Sequence, residues 1–409
     1  MPLLIHNINI LDVETGDVIP NGSLLLDGDR IKKVDQGPAP EIKGDGLDGK
    51  GAYVMPGLID AHIHCVITTM NFANLRSKPE AVRVLETAGI LQGILSRGFT
   101  TIRDAGGADF GIARAVSSGL IPGPRIFYAG KVLSQTGGHG DMLEAAADHQ
   151  VCACSAFTSW FSHVVDSPDA VRAAARLELK RGASQIKIMA SGGVASVSDP
   201  LMSLQFTSEE MQAACEAASD WGAYTMAHAY SPDAITRAVT AGVRTIEHGN
   251  LLDGASASVM AKKGAYLVPT LVTYQGMKEV GAKYGLGSYM QEKNEVVMQA
   301  GIESLRIAEA ARVPIGFGTD LLGELHPMQN QEFRIRSQSQ SPLAIIQSAT
   351  CINAEIIGQV GELGVIKEGA CADLLFLDSN PLDDISVLAE PEKHIKVIYQ
   401  SGRQVHGSL

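Results

Sequence analysis

The chain has 409 residues, a formal net charge of −12 and a hydrophobic content of 45%, which is enough to bury one large core and a smaller one. The 33 Lys and Arg residues are outnumbered by 45 acidic residues and form no cluster, so a basic surface for a nucleic-acid backbone is not expected. No apolar run approaches the roughly 20 residues that cross a bilayer, so we expect no membrane span.

The first residues, Met1 to His6, lack the pattern of a secretory signal, and we expect a cytoplasmic protein. The six cysteines are sparse, and we expect buried free thiols. Cys152 and Cys154 could instead form a soft-metal ligand pair.

Both ends of the chain contain short β-rich runs with turn residues between them. The runs are Leu3–Ile10 and Gly22–Ile31 at one end, and Ala372–Asp378 and Ile395–Arg403 at the other. Neither end has enough strands for a core of its own. We therefore predict that residues 1–56 and 361–409 together form one small β-sandwich domain.

Residues 57–360 alternate strand-like runs with helical stretches, as βα units of a parallel sheet do. Helix starts are marked by Ser167-Pro168, Ser231-Pro232 and Ser341-Pro342, and by Thr207 with Glu210. Eight such units predict an α/β fold, a closed (β/α)8 TIM barrel, and an open doubly wound sheet is the weaker alternative. The predicted strands are Gly57–His64, Thr100–Asp104, Arg125–Ala129, Gln185–Ala190, Tyr224–His228, Thr245–His248, Tyr266–Thr270 and Pro314–Asp320.

Four histidines, His62, His64, His228 and His248, fall at or near the ends of predicted strands, where barrel enzymes form their active sites. His62 and His64 are two apart on one strand, so both imidazoles can chelate one ion. Asp320 ends the eighth strand and could bind the same metal and accept a proton from bound water. These ligand types suit zinc best, with manganese or cobalt as alternatives.

Lys187 lies inside the apolar strand Gln185–Ala190, where an unpaired ammonium would be costly to bury. One interpretation is an ion pair with a nearby carboxylate. Another is carboxylation by CO₂, which turns the amine into an anion able to bridge two metals. Chemistry alone favours the ion pair.

The run Gly57-Leu58-Ile59-Asp60-Ala61-His62-Ile63-His64, the strand-four lysine, the histidines of strands five and six and Gly318-Thr319-Asp320 together resemble the amidohydrolase superfamily. The likeness extends over nearly the whole chain, including Gly364–Leu374. It implies that His62, His64 and Asp320 hold one zinc, that His228 and His248 hold a second, and that a CO₂-derived carbamate on Lys187 bridges the two. It also implies a metal-bridging hydroxide as nucleophile.

Within the superfamily, the stretches Thr136–Gly140, Ile186–Gly193, His228–Tyr230 and Ile246–Gly249 resemble the imidazolonepropionase-like branch, which contains prolidases and Arg/Lys carboxypeptidases. Imidazolonepropionase itself lacks the bridging lysine, so Lys187 points away from it. The resemblance implies hydrolysis of a peptide or N-acyl bond to a C-terminal amino acid, with Xaa-Pro dipeptides as leading substrates.

Substrate contacts are expected from His139, which lies in a glycine-rich loop, and from Tyr230, which follows strand five. A loop histidine in water and a core tyrosine are the plain alternatives. Arg103 and Arg334 could bind a carboxylate, but ordinary ion pairs are the favoured interpretation.

Three other functions stay open. A carboxypeptidase for C-terminal Arg or Lys would need an acidic pocket, which Glu324 or Asp199 could supply. The metal pair could also hydrolyse a cyclic amide or a lactone. A non-catalytic barrel is disfavoured because all the predicted ligands are present. We expect a small-molecule substrate and a homo-oligomer.

Overall fold

A computed structural model describes residues 2–37, 46–143, 160–196 and 199–408. Its β-strands, in chain order, are β1 (Leu3–Leu11), β2 (Val18–Asp27), β3 (Arg30–Asp35), β4 (Leu47–Asp48), β5 (Tyr53–Pro56), β6 (Leu58–Ile63), β7 (Phe99–Asp104), β8 (Arg125–Tyr128), β9 (Val132–Ser134), β10 (Ser162–Val164), β11 (Gln185–Met189), β12 (Tyr224–Ala229), β13 (Thr245–His248), β14 (Tyr266–Val268), β15 (Leu374–Leu377), β16 (Ile395–Gln400) and β17 (Arg403–Gly407).

The α-helices are α1 (Phe72–Ser77), α2 (Glu80–Ser96), α3 (Phe110–Ser117), α4 (Pro168–Lys180), α5 (Ser208–Asp220), α6 (Pro232–Ala241), α7 (Gly254–Lys263), α8 (Leu271–Val280), α9 (Ser288–Ala310), α10 (Gln331–Arg336), α11 (Pro342–Gln347), α12 (Asn353–Ile356), α13 (Ser386–Ala389) and α14 (Pro391–His394). Short 3₁₀ turns cover Gly281–Tyr284 and Gly323–Met328, and a π-helical turn covers Ser348–Ile352. Among the described helices, none combines the length and apolar character needed to span a membrane.

Strands from both ends of the chain share one eight-stranded sheet. Its order is β17-β16-β15-β5-β1-β2-β3, with β4 paired to β1. The junction is the antiparallel pair β15 and β5, in which Leu375 lies opposite Met55. The predicted pairing of strands from the two termini is therefore confirmed. The strand order describes a single sheet, so the second sheet that a sandwich requires remains a prediction.

The middle of the chain forms two parallel sheets, which are β6-β7-β8 and β10-β9-β11-β12-β13-β14. Only residues 129–131 separate β8 from β9, so this stretch leads from one sheet into the other. Strands β9 and β10 were not predicted from the sequence, because strands of three residues give too little periodicity to recognise.

The segment predicted as the eighth strand, Pro314–Asp320, does not form a regular strand. It has one isolated bridge, between Ile315 and Leu267. Further along, Phe317 O accepts from Ala61 N at 2.8 Å, and Thr319 N donates to His62 O at 3.0 Å. Two causes interrupt the ladder: Pro314 has no N–H to donate, and Asp320 has a φ of 51°, outside the extended region.

The helix starts read from the sequence are confirmed. Ser167, Ser231 and Ser341 each accept a hydrogen bond from the backbone N–H three residues on, and each precedes a proline. Thr207 and Glu210 form the expected capping box. These caps satisfy N–H groups that the first helical turn leaves without partners.

Helices pack on one side of the parallel strands. Strand side chains on that side contact the helices, and those on the other side point away from the helices. Ile186 and Ile188 of β11 belong to a hydrophobic cluster that also contains Val171 of α4 and Met211 of α5. Because side chains alternate along a strand, Lys187 points to the opposite side, away from these helices.

Candidate active site

The four predicted histidine ligands lie at or just past the carboxyl ends of parallel strands, whereas Lys187 is in the middle of β11 and Asp320 ends the 314–320 segment. His62 is on β6, His64 follows it by one residue, and His228 and His248 are on β12 and β13. All four histidines are buried. On β6, the alternation puts His62 and His64 on one face, while Ile63 between them packs into a hydrophobic cluster.

Asp320 is the carboxylate at which these imidazoles meet. Its Oδ1 lies 3.3 Å from Nε2 of His62 and 3.3 Å from Nε2 of His64, and its Oδ2 lies 4.0 Å from Nδ1 of His248. Potential ligand atoms of His62, His248 and Asp320 all lie within 4.8 Å of one another. This spacing allows one cation to contact all three side chains.

The other two imidazoles extend the cluster. The ring centroids of His228 and His248 are 4.6 Å apart, and those of His248 and His62 are 4.9 Å apart. Lys187 lines the same cavity as His64, His228, His248 and Asp320. The structure thus brings together the predicted ligand set of His62, His64, Lys187, His228, His248 and Asp320.

Two of these residues have an unusual backbone. His248 has a φ of 72° and Asp320 a φ of 51°. Only a small fraction of non-glycine residues adopt this left-handed region, although aspartate and histidine do so more often than most. Such conformations persist where the surrounding structure enforces them, and they concentrate at functional sites. In this protein both residues lie where an extended segment ends, and their side chains approach each other, with His248 Nδ1 at 4.0 Å from Asp320 Oδ2.

A buried ion pair below the site orients His62. Glu247 Oε2 accepts from His62 Nδ1 at 2.7 Å, and Arg103 Nη2 donates to both oxygens of Glu247 at 2.9 and 3.0 Å. Arg103 also bonds Thr245 Oγ1 at 3.1 Å. The expected ion pair of Arg103 is confirmed, whereas the sequence analysis gave Glu247 no role. The sequence feature that could have indicated its role is a carboxylate inside β13, all of whose residues are buried.

Each remaining imidazole also has one ring nitrogen occupied. His64 Nδ1 donates to Gly106 O at 2.8 Å, His228 Nε2 donates to Gly192 O at 3.0 Å, and His248 Nδ1 lies 2.8 Å from Thr270 Oγ1. Such contacts fix the tautomer and the ring orientation of metal-binding histidines. His62 Nε2 is buried without a hydrogen-bond partner among the described residues.

Burial and neighbouring charges set the protonation of the site. Burial, aided by the other positive groups nearby, holds the pKa of His228 and of His248 well below the ordinary value. Burial alone would raise the pKa of Asp320, but the adjacent His62 and His64 hold it well below its ordinary range. Neutral imidazoles and an ionised carboxylate are the forms that bind metals.

Burial lowers the pKa of Lys187 to about 8, although attraction to Glu247 and Asp320 opposes this. Lys187 forms no ion pair with any described residue, so the interpretation that chemistry alone favoured finds no support. A buried amine that loses its proton readily is nucleophilic. This is the form that can react with CO₂.

The cavity beside the ligands is lined by both polar and apolar side chains. His139 stacks on His228 with centroids 4.4 Å apart, and Tyr230 stacks on His248 at 5.2 Å. Tyr230 is buried, and its OH lies 2.8 Å from Tyr274 OH. The apolar wall is formed by Phe72, Met142, Phe161, Met189, Met277 and Leu322.

Other residues singled out in the sequence lie elsewhere. Glu324 accepts from Thr69 Oγ1 and Met70 N, both at 2.9 Å, and Arg334 pairs with Glu390 at the surface. Asp199 does not line the described part of the cavity either, but it lies behind His139, with Oδ2 at 3.4 Å from His139 Nδ1, and it accepts from Gly193 N at 2.9 Å. Cys65 and Cys371 are buried free thiols, while Cys215 and Cys351 are partly exposed. Cys152 and Cys154 lie outside the described residues.

The donor set fits a divalent metal. Imidazole and carboxylate ligands around one point suit zinc and similar ions, and a cation would supply the partner that His62 Nε2 lacks. The contacts of Glu247, Gly106 and Gly192 leave the opposite ring nitrogens of His62, His64 and His228 available.

The sequence matches the Amidohydrolase family over residues 53–405. An ochratoxinase from Aspergillus niger is 29% identical over 365 residues, which are 87% of this chain and 76% of that protein. A prolidase solved in complex with N-methylphosphonate-L-proline is 44% identical, with a TM-score of 0.96 and full coverage of both chains. A Xaa-Pro dipeptidase with methionine bound in its active site is 31% identical, with a TM-score of 0.90 and full coverage of both chains.

The family implies an α/β fold of the TIM-barrel type and a hydrolase that uses divalent metals. The prolidase and ochratoxinase neighbours support metal-dependent amide hydrolysis. On the match over residues 53–405, the chain belongs to the amidohydrolase family.

Proposed function

We propose that the protein hydrolyses a peptide or N-acyl amide bond to a C-terminal amino acid, with Xaa-Pro dipeptides as its preferred substrates. The observation that carries this proposal is the convergence of four buried imidazoles, Lys187 and Asp320 on one cavity. The 44% identity to a prolidase over the full chain supports the choice of substrate.

The residues divide into two metal sites that share Lys187. His62, His64 and Asp320 would hold one divalent ion, and His228 and His248 the other. A carbamate on Lys187 would bridge them, and the lowered pKa of this buried amine is compatible with that role. Zinc is the proposed metal. The bound ions would supply hydroxide near neutral pH and polarise the scissile carbonyl.

Asp320 is the proposed general base and acid. Its carboxylate would accept the proton of the attacking water and deliver it to the departing nitrogen. Without metal, His62 and His64 hold its pKa well below the ordinary range, and a bound cation would likewise favour the ionised form. Its left-handed backbone at the strand end directs the carboxylate to the point at which the imidazoles meet.

His139 and Tyr230 are the proposed substrate contacts. Both line the cavity, and burial keeps the pKa of Tyr230 well above its ordinary value, so its phenol remains a hydrogen-bond donor. The substrate carboxylate and the developing oxyanion both need such donors. The apolar wall of Phe72, Phe161, Met189 and Met277 would accept uncharged side chains.

The carboxypeptidase alternative has less support. Glu324 and Asp199 already accept hydrogen bonds from nearby backbone groups, and neither lines the described part of the cavity. A C-terminal Arg or Lys would therefore enter a largely apolar space without a partner, which is unfavourable. Cyclic amides and lactones remain minor alternatives, and the presence of every predicted ligand disfavours a non-catalytic protein.

We also propose that the two parallel sheets and the 314–320 segment close into one eight-stranded barrel, in which β8 and β9 together count as one interrupted strand and β10 lies outside the ring. The hydrogen bonds of this segment to Leu267 on one side and to Ala61 and His62 on the other support closure. On this proposal residues 57–360 form the catalytic domain, and residues 1–56 and 361–409 form the second domain. A homo-oligomeric state and a cytoplasmic location are likewise proposals.

A substrate panel tests the proposed function. Zinc-loaded protein is incubated with Leu-Pro, Leu-Arg, Leu-Lys, an N-acyl phenylalanine and a simple lactone, and the initial rate of product release is measured. We expect Leu-Pro to give a kcat/KM at least about tenfold above the others. Faster release of Arg or Lys would select the carboxypeptidase function, and turnover of the lactone alone would overturn peptide hydrolysis.

A further inference from the structure

The ammonium of Lys293 holds a loop that belongs to another part of the chain. Lys293 is on α9 and is 5% exposed. Its Nζ donates to the carbonyl oxygens of Gly193 at 2.5 Å, Ser196 at 2.7 Å and Asp199 at 3.2 Å. The ring of Tyr289 lies 4.8 Å away on another side. Three carbonyls and a ring face thus surround a cation that has no direct carboxylate partner among the described residues.

Three described residues between β11 and α5, Gly193, Ser196 and Asp199, lie against the ring of His139. His139 Nδ1 lies 3.0 Å from Ser196 Oγ and 3.4 Å from Asp199 Oδ2. A Cβ on Gly193 would lie 2.1 Å from the His139 ring, so loop and imidazole are in close contact. The residues whose carbonyls bind Lys293 are therefore the residues that surround His139.

The same loop reaches the metal ligands through a different residue. Gly192 O accepts from His228 Nε2 at 3.0 Å, and it is not among the acceptors of Lys293. Displacement of Gly193, Ser196 and Asp199 would change the support of His139 first. The support of His228 also has a separate anchor, since His228 is part of strand β12.

We propose that Lys293 is a positioning residue for substrate binding, which fixes Gly193, Ser196 and Asp199 so that His139 faces the cavity. Removal of the ammonium would take the donor from the carbonyls of Ser196 and Asp199 and leave Gly193 O with the Ser196 hydroxyl at 3.2 Å. Buried carbonyls that lose a charged donor are destabilising, so these residues should be released. The expected consequence is weaker substrate binding with little change in metal content. The expected effect on substrate binding rests on the proposed function, in which His139 contacts the substrate. The expected release of the residues that Lys293 holds does not depend on that function.

Hydrogen–deuterium exchange tests the loop without any substrate. In Lys293→Met, peptides covering residues 190–196 should exchange at least about tenfold faster than in the wild type, because local opening becomes easier. Lys278→Met is the matched control. Lys278 is on α8 and pairs at the surface with Glu295 of α9, the helix that carries Lys293. Unchanged exchange in Lys293→Met would overturn the proposal, whatever the enzyme hydrolyses.

A double-mutant cycle on Leu-Pro hydrolysis tests the link to His139. Lys293→Met should raise KM by about tenfold or more with a smaller change in kcat, and in a His139→Ala background its effect on kcat/KM should shrink to less than about threefold. An equal effect in both backgrounds would refute the link. If Lys293→Met does not fold, Lys293→Gln, which keeps two N–H donors, is used in the same cycle. Absence of Leu-Pro turnover by the wild type would instead contradict the proposed function.

Discussion

At the scale of single residues, Glu247 shows how a buried charge supports the site without touching substrate. It accepts from His62 Nδ1 and pairs with Arg103, and all three side chains are fully buried. Attraction to Arg103 and His62 overcomes the effect of burial and holds the pKa of Glu247 at about 2. Burial of the Glu247–Arg103 ion pair costs free energy of desolvation. Removal of one partner costs more, because the other would stay charged in the interior.

Glu247→Gln should therefore destabilise the fold by about 3–5 kcal/mol, because it leaves the Arg103 guanidinium without a countercharge. Urea unfolding of the metal-free protein measures the loss. Glu303→Gln is the matched control, since Glu303 pairs with Arg306 at the surface and should unfold like the wild type. Equal stability of Glu247→Gln and the wild type would show that the pair does not support the fold.

Lys187 offers a second test at this scale. If its carbamate bridges two ions, Lys187→Ala should bind at most one metal per chain, and small carboxylates such as acetate should restore the second. Elemental analysis after gel filtration, with and without acetate, measures the stoichiometry. Two ions retained without added carboxylate would refute the bridge and leave Lys187 as a buried amine near Glu247 and Asp320.

At the scale of elements, the 314–320 segment depends on side-chain contacts because it lacks a full strand ladder. Asn353, which begins α12 and is fully buried, donates from Nδ2 to Ile59 O at 2.6 Å and to Phe317 O at 2.8 Å. Its Oδ1 accepts from Phe317 N at 3.1 Å. One amide thus joins β6, which carries His62, to the segment that carries Asp320.

Asn353→Leu should cost about 1–3 kcal/mol, because Phe317 N loses its acceptor and the carbonyls of Ile59 and Phe317 each lose a donor in the interior. It should also weaken metal binding, since His62 and Asp320 are no longer held in register. Urea unfolding and a competitive zinc titration measure the two effects. Asn74→Leu, at an exposed position of α1, is the control, and normal zinc affinity in Asn353→Leu would argue against this coupling.

At the scale of the whole molecule, the buried carboxyl group of Glu332 should make the free energy of unfolding depend on pH. Burial raises the pKa of Glu332 to about 8, whereas a glutamate in an unfolded chain titrates near about 4.3. Between these values the folded protein keeps a proton that the unfolded chain has lost, so this residue makes stability fall as pH rises.

Glu332→Gln should remove that dependence. We expect the variant to gain about 4 kcal/mol over the wild type at about pH 8 and about 1 kcal/mol at about pH 5, because glutamine stays neutral and can still accept from Val272 N. Urea midpoints of the metal-free proteins at the two pH values measure the difference. Glu216→Gln, at the surface, is the control, and parallel curves for Glu332→Gln and the wild type would contradict the expectation.

Much of the architecture could be predicted from the sequence, because strand and helix patterns are local. Seven of the eight predicted strands of the central region are present, and so are the capped helix starts at Ser167, Ser231 and Ser341. The 314–320 segment could not be predicted correctly, since its apolar run resembles a strand while its hydrogen bonds are divided between two neighbours.

The ligand set was recognisable because four histidines near the ends of parallel strands converge on one edge of the sheet, where barrel enzymes bind their metals. Glu247 and Lys293 were missed for a different reason. Each acts through a contact far away in the sequence, with Arg103 in one case and with the carbonyls of Gly193 and Ser196 in the other. No local pattern distinguishes such residues from an ordinary strand glutamate or helix lysine.

The central claim is that Leu-Pro hydrolysis depends on metals held by this site and on Asp320. The most direct measurement is the turnover of metal-stripped protein while zinc is added back, with bound zinc counted in each sample, for the wild type and for Asp320→Asn. The wild type should gain activity until two ions are bound per chain, and Asp320→Asn should bind zinc yet remain at least about a thousandfold slower. Full activity without metal, or an active Asp320→Asn variant, would contradict the account.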